Sequence, residues 1–143
     1  MRQTPGMASP LEEAVARIGD RWTLLVIDAL LEGPLRFGEL SDRVTGIAPN
    51  VLTSRLRQLE RDGLVTASAY SARPARYAYE LTGPGRDLAD ALALLSTWGA
   101  RQSGRHEDVP HHEACGSAVE VRLWCPTCER HIDEDEAHSD VRL

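Results

Sequence analysis

The chain has 143 residues with 16 basic and 22 acidic side chains, a formal net charge of -6 and only 5% aromatic residues. That length holds one good core and a small appendage but not two full domains. No run of eighteen apolar residues occurs, and the opening MRQTPGMASP has neither a basic n-region nor an apolar h-region, so no membrane partner and a cytoplasmic location are expected.

The charge is divided unevenly. Residues 1-105 hold 13 Arg against 12 Asp and Glu, a net +1, whereas residues 106-143 hold 3 Arg against 10, a net -7. The acidity therefore belongs to the tail. Between positions 43 and 76 six arginines (43, 55, 57, 61, 73, 76) meet only Glu60 and Asp62, a local excess suited to neutralising phosphates.

In chain order, Leu11, Val15 and Ile18 give Pro10 to Ile18 helical spacing, which Gly19-Asp20 ends. A second helix follows from about Arg21 to Leu31, with Asp20 as N-cap, Leu24, Leu25, Ile27 and Leu31 inward, and Gly33-Pro34 as terminator. Phe37, Leu40 and Val44 predict a short third helix, and TGIAP is a turn of the length that joins the two helices of a helix-turn-helix. Then comes Ile47 to Val65, where Leu52, Leu56 and Leu59 fall at i, i+4 and i+7 while Asn50, Ser54, Arg57 and Arg61 take the opposite side. Pro49 suits the first helical position and Gly63 the left-handed position past the end.

After Gly63 the period changes from 3.6 to 2. Leu64 to Tyr70 and Arg76 to Leu81 read as two strands around the loop Ser71 to Ala75, with Arg73 and Arg76 at or beside its tip. Three helices, a donor-bearing helix and a basic hairpin make a winged helix, a mainly α fold with a small β wing (α+β). Thr82, Gly83 and Pro84 restart a helix, in which Leu88, Leu92, Leu95 and Trp98 form an apolar edge up to about Gln102. So small a core cannot cover it, so a second subunit is expected to pack there and on the N-terminal helix.

GDRWTLLVIDALLEGPLRFGEL, GIAPNVLTSRLRQLERDGLV, ARPARYAYELT and the later Trp98-Gly99 together resemble the HxlR family of bacterial winged helix-turn-helix regulators, relatives of the MarR regulators, over residues 9-100. The resemblance implies a homodimer that binds a palindromic DNA operator, acts as a repressor and releases DNA on a chemical signal. In many members that signal is read by a cysteine in a Cys-Pro pair before the first helix. This chain has Ser9-Pro10 there and no cysteine before position 115, so thiol sensing of that kind is not expected. A small-molecule effector held near Trp22 and Trp98 is an alternative signal.

A recognition helix reads base edges in the major groove while its neighbours fix the register on phosphates. Arg57 or Arg55 has the fork for guanine, and Asn50 the amide for adenine. Thr53 and Ser54 suit phosphate or thymine-methyl contacts, and Gln58 lies on the flank. Arg73 and Arg76 would enter or clamp the adjacent minor groove, and Arg36 and Ser41 would anchor the backbone. The expected domains are 1-104 for DNA binding and dimerisation, 105-132 for a zinc-ribbon-like segment and 133-143 for an acidic, disordered tail that competes with DNA for the wing arginines.

The middle segment holds all three cysteines. His112 and Cys115, then Cys125 and Cys128, share an x2 spacing and are joined by the strand-like SAVEVRLW. Two such knuckles aim four side chains at one tetrahedral centre, a structural Cys3His zinc site with Zn-S of about 2.3 Å. His111 and His131 are alternatives for the fourth ligand. An odd cysteine count in an intracellular chain disfavours structural disulfides, and a Cys125-Cys128 redox pair is the competing reading. Four ligands close the metal shell and no acid-base constellation stands beside them, so no enzyme is expected. The reading that competes with DNA regulation is a protein-interaction module in which the ribbon or tail recruits a partner.

Overall fold

The computed structural model describes residues 8-133 and 135-136. Two compact units divide between Leu92 and Ala93, a point within the helix Ala89–Gln102. The expectation of a disordered tail at 133-143 lies almost wholly outside the described residues.

In the first unit, helix α1 (Pro10–Ile18) starts with a capping box: Ser9 accepts from the Glu12 amide at 3.1 Å while Glu12 accepts from the Ser9 amide. Helix α2 (Arg21–Leu30) is capped by Asp20, whose carboxylate accepts from the amides of Trp22 and Thr23 at 3.0 and 3.2 Å and from the Thr23 hydroxyl. A two-residue strand β1 (Leu35–Arg36) leads into α3 (Phe37–Arg43), and a turn through Gly46 (φ 84°) leads to α4 (Pro49–Arg61). Ala48 makes no side-chain capping bond, so α4 begins on the fixed φ of Pro49. Strands β2 (Val65–Ala72) and β3 (Ala75–Leu81) form the hairpin, and β1 joins it to give an antiparallel sheet of order β1-β3-β2. The register pairs Leu35 with Tyr79 and Val65 with Leu81. Helices α5 (Gly83–Arg86) and α6 (Ala89–Gln102) follow.

The core is built on α4. Leu52, Leu56 and Leu59 are buried with Val26, Ile27 and Leu30 of α2, Leu40 of α3, and Val65 and Leu81 of the hairpin. Removing three leucine side chains from water is worth about 5-9 kcal/mol gross, comparable with the whole net stability of a small domain. The winged-helix element order is thus realised. No helix among the described residues is long and apolar enough to cross a membrane.

Four details differ from the sequence expectation. The buried face of α2 is Thr23, Val26, Ile27 and Leu30, while Leu25 is largely exposed; eight of the ten residues from Thr23 to Glu32 are apolar or neutral, so periodicity alone could not choose the face. The expected loop Ser71 to Ala75 contracts to Arg73-Pro74 because both strands run further. Strand β1 is too short to leave a periodic trace and exists by pairing with β3. The expected single helix after Thr82 is two, because α5 is pinned to the hairpin base. Thr82 donates its amide to the Leu64 carbonyl at 3.0 Å and its hydroxyl to Gly63, and a β-carbon on Gly85 would lie 2.3 Å from that same Leu64 oxygen.

The second unit, from Ala93, contains a 3-10 turn at His106–Asp108 and the short hairpin β4 (Trp124–Cys125) and β5 (Arg130–His131). Its large apolar side chains stay mostly exposed, Leu95 at 53% and Trp98 at 63%.

Leu56→Ala is expected to lower the unfolding free energy by about 2-5 kcal/mol, read as a fall in the urea midpoint. Gly85→Ala has to push backbone apart and is expected to cost about 1-3 kcal/mol, whereas alanine at Gly38, where a β-carbon meets nothing within 4 Å, leaves the midpoint close to the parent.

Candidate nucleic-acid interface

Because the leucine stripe faces inward, the opposite side of α4 is fixed outward. Asn50, Thr53, Ser54, Arg57 and Arg61 line one shallow groove along it. Asn50, Ser54 and Arg57 are exposed, and no hydrogen bond or ion pair within the chain engages their side chains among the described residues. The Thr53 hydroxyl donates back to the Pro49 carbonyl at 2.9 Å, which leaves its methyl and its acceptor lone pairs outward. The N-terminus of α4 beside Asn50 adds its own positive dipole end and unpaired amides to this surface.

Other expected contacts are engaged elsewhere. Arg55 is half-buried, with Nε 3.3 Å from Asp20 Oδ1. The approach is ionic without hydrogen-bond alignment, since that Nε is buried with no hydrogen-bond partner. Burial pushes the Asp20 carboxyl up, but the hydroxyl and amide of Thr23, the Arg55 charge and the Trp22 amide together outweigh it and hold the group below its ordinary value. Arg55 thus ties α4 to the start of α2. Gln58 donates to Asp62 at 2.9 Å and accepts from Arg61 at 2.6 Å, so it closes the last turn of α4 and stays off the groove. Arg61, on the same stripe as Arg57 four residues earlier, sits on the groove although it was not among the expected contacts; the i+4 spacing is the signal that places it there.

Around the hairpin, the Arg36 guanidinium lies 4.3 Å from the centre of the Tyr70 ring, a cation-π contact that fixes it beside the wing. Arg36, Tyr70, Arg76 and Tyr77 line a second depression together with Glu39 and Asp42. Tyr70 is a member that sequence reasoning missed, because it falls at the register shift of β2, unpaired between Ala69, opposite Tyr77, and Ser71, opposite Arg76, and such an irregularity leaves no mark on a period-2 pattern. Arg73 is exposed in the turn at the hairpin tip and Arg76 exposed on β3. Ser41 is half-buried on α3 and lines neither groove. Pairing removes other arginines from the surface field: Arg43 with Glu32 and Arg86 with Glu80.

The expected metal ligands are brought together as two pairs. His112 Nδ1 lies 3.3 Å from Cys115 Sγ, and the Cys125 and Cys128 side chains adjoin across one turn. Among the described residues no three His, Cys, Asp or Glu converge as a metal-holding group. All three thiols are free. Hydrogen bonds from the hydroxyl and amide of Ser117 and from His112 hold the Cys115 thiol below its usual value, and the amide and thiol of Cys128 and the amide of Thr127 do the same for Cys125. Cys128 is pushed up by its hydrogen bond to Cys125 and that sulfur's charge. His131 packs edge-on against Trp124 at 4.9 Å, and the backbone of His111 bridges to Ala118, so His112 is the imidazole placed beside a sulfur.

Residues 17-107 match the model of the HxlR-like helix-turn-helix family. An uncharacterized HTH-type transcriptional regulator of Mycobacterium tuberculosis is 40% identical over 122 residues, covering 83% of this chain and 77% of that protein. Among solved structures, the HTH-type transcriptional regulator ytcD is 34% identical with a TM-score of 0.63, covering 68% of this chain and all of that one. A MarR-family transcriptional regulator from Enterococcus faecalis V583 is 34% identical with a TM-score of 0.58, covering 76% of this chain and all of that one. With a winged helix-turn-helix that presents unpartnered donors on α4, and with relatives that are transcriptional regulators and not enzymes, the chain belongs to the HxlR-like helix-turn-helix family of transcriptional regulators.

Proposed function

We propose that this protein is a transcriptional repressor that binds a palindromic DNA operator as a homodimer. The observation that carries the reading is the outward face of α4, where Asn50, Ser54 and Arg57 stand exposed and unengaged on a helix whose rotation is fixed by three buried leucines. A recognition helix needs this combination: the scaffold holds the side chains, and their donors are left for base edges. Arg57 is the guanine-reading fork and Asn50 the adenine-reading amide. Arg61 and the α4 N-terminus meet phosphates, Arg73 at the hairpin tip reaches the adjacent minor groove, and Arg36 and Arg76 neutralise the backbone between them. Arg55 and Gln58 position α4 and do not read bases.

The dimer rests on two apolar faces that the chain itself leaves open. Leu11 and Val15 of α1 are 72% and 58% exposed, and Leu94, Leu95 and Trp98 of α6 are also largely exposed. A second copy covers them, and its two-fold axis requires half-sites about one helical turn, 34-36 Å, apart. No effector is assigned, and a thiol switch at the start of α1 is not part of the proposal because Ser9-Pro10 stands there.

In a fluorescence-anisotropy titration on the promoter fragment upstream of its own gene, Arg57→Ala is expected to weaken binding by about 1-3 kcal/mol and relax the preference at one base pair of each half-site. Arg55→Ala is expected to keep that base preference while lowering thermal stability slightly. Unchanged affinity and preference for Arg57→Ala, or parent binding as tight to a scrambled fragment, would overturn the reading. Leu95→Glu with Trp98→Glu is expected to yield monomers in sedimentation, with operator affinity lost alongside; a dimer persisting in that variant rejects the α6 face.

A further inference from the structure

The cysteine-bearing segment contains the same turn twice, displaced by 13 residues. In the first copy the Val119 amide donates to the Pro110 carbonyl at 2.8 Å; in the second the Ile132 amide donates to the Leu123 carbonyl at 2.9 Å. His111 pairs with Ala118 as Trp124 pairs with His131. Inside each, His112 faces Ser117, its amide donating to the Ser117 carbonyl at 2.8 Å, as Cys125 faces Arg130. The residue after Cys115 and the residue after Cys128 are both left-handed, Gly116 at φ 70° and Glu129 at φ 53°. Glu129 is the only described residue other than glycine with a positive φ, a conformation that a β-carbon disfavours. The second copy adopts the turn although its sequence lacks the glycine that would make it easy.

What the two copies share besides backbone is the position of their donors. His112 and Cys115 occupy the first and fourth positions of one turn, Cys125 and Cys128 those of the other. A tight turn of this shape points its first and fourth side chains, and nearby amides, toward one point, which is how a pair of ligands is presented to a tetrahedral soft-to-borderline metal. A second observation concerns cohesion. From Ala93 onward Val109 is the one buried large apolar side chain among the described residues, and Val119, Val121, Leu123 and Trp124 are each about half exposed. The segment around the two turns has almost no apolar core of its own.

We propose that the two turns, whose donor pairs do not converge in this structure, are the halves of one structural zinc site that the ion itself draws together, with His112, Cys115, Cys125 and Cys128 as its four ligands and the ion as the link between the hairpins. Three thiolates and one imidazole fill the tetrahedral shell and leave no open position for a substrate, so the ion supplies cohesion and no chemistry. His111 and His131 stay outside the shell: His112 is the imidazole already beside a sulfur, its Nδ1 3.3 Å from Cys115 Sγ, and His131 packs on Trp124. The inference is independent of DNA binding, because it rests on the second unit alone.

The test is metal content of the full-length protein purified without chelator, followed by cobalt substitution of the metal-free protein. About one zinc per chain is expected, and the cobalt form should show the thiolate charge-transfer and tetrahedral d-d absorption of a multi-thiolate site. Cys115→Ser, Cys128→Ser and His112→Ala should each lower retained zinc at least tenfold under chelator competition, while His111→Ala and His131→Ala keep the parent's zinc. Absence of zinc and of cobalt bands in the wild-type chain overturns the proposal without reference to any variant. So does a Cys125-Cys128 disulfide as the resting state, or undiminished zinc in Cys115→Ser, which would confine the metal to one turn.

Discussion

The packing of Leu52, Leu56 and Leu59 onto Val26, Ile27 and Leu30 governs the first unit. A helix has one rotational degree of freedom about its axis, and each residue of misregister turns it by about 100°. With three leucines buried, that rotation is fixed, and the side chains half a turn away are fixed with it. Asn50, Ser54 and Arg57 need no partners within the chain to be held in place, because the far side of the helix does the holding. That division of labour leaves apolar contacts to set position and unengaged polar groups to be displayed on a short α4.

The arginines show the same division. Those at 43, 55 and 86 are drawn to Glu32, Asp20 and Glu80, and Arg61 is tied to Gln58. The field that remains on the α4 and hairpin side comes from Arg57, Arg73 and Arg76 and from Arg61, whose charge the neutral Gln58 amide does not cancel, with Arg36 held by the face of Tyr70. Surface pairs of this kind add little stability. Their larger effect is to choose which guanidinium groups stay available. Asp20 acts twice, capping α2 and holding Arg55, so one carboxylate joins α2 to α4.

The second unit follows another physical logic. It has too little apolar surface to bury against itself, and its order comes from backbone turns that sequence repeats only in outline: PHHEACGSAV and LWCPTCERHI share a cysteine at the same place and little else. The shared backbone hydrogen bonds, 13 residues apart, are what relate them.

The helices were legible in the sequence because their periodicity is strong and their ends carry chemistry: Asp20, Pro49 and Gly63 each mark a boundary for a stated steric or hydrogen-bonding reason. The hairpin was legible from the change of period, and the outward stripe of α4 from the leucines opposite it. What the sequence by itself determined was therefore the first four helices and the hairpin, their polarity and the face that α4 must show. Tertiary structure alone decided which face of the uniformly apolar α2 turns inward, that Leu35-Arg36 pairs as a strand, that Gly85 lies against the Leu64 carbonyl and breaks the last helix in two, and which arginines are consumed by partners. Those outcomes depend on contacts between residues far apart in the chain, such as Arg55 with Asp20 or Arg36 with Tyr70, and a local pattern carries no record of a distant partner.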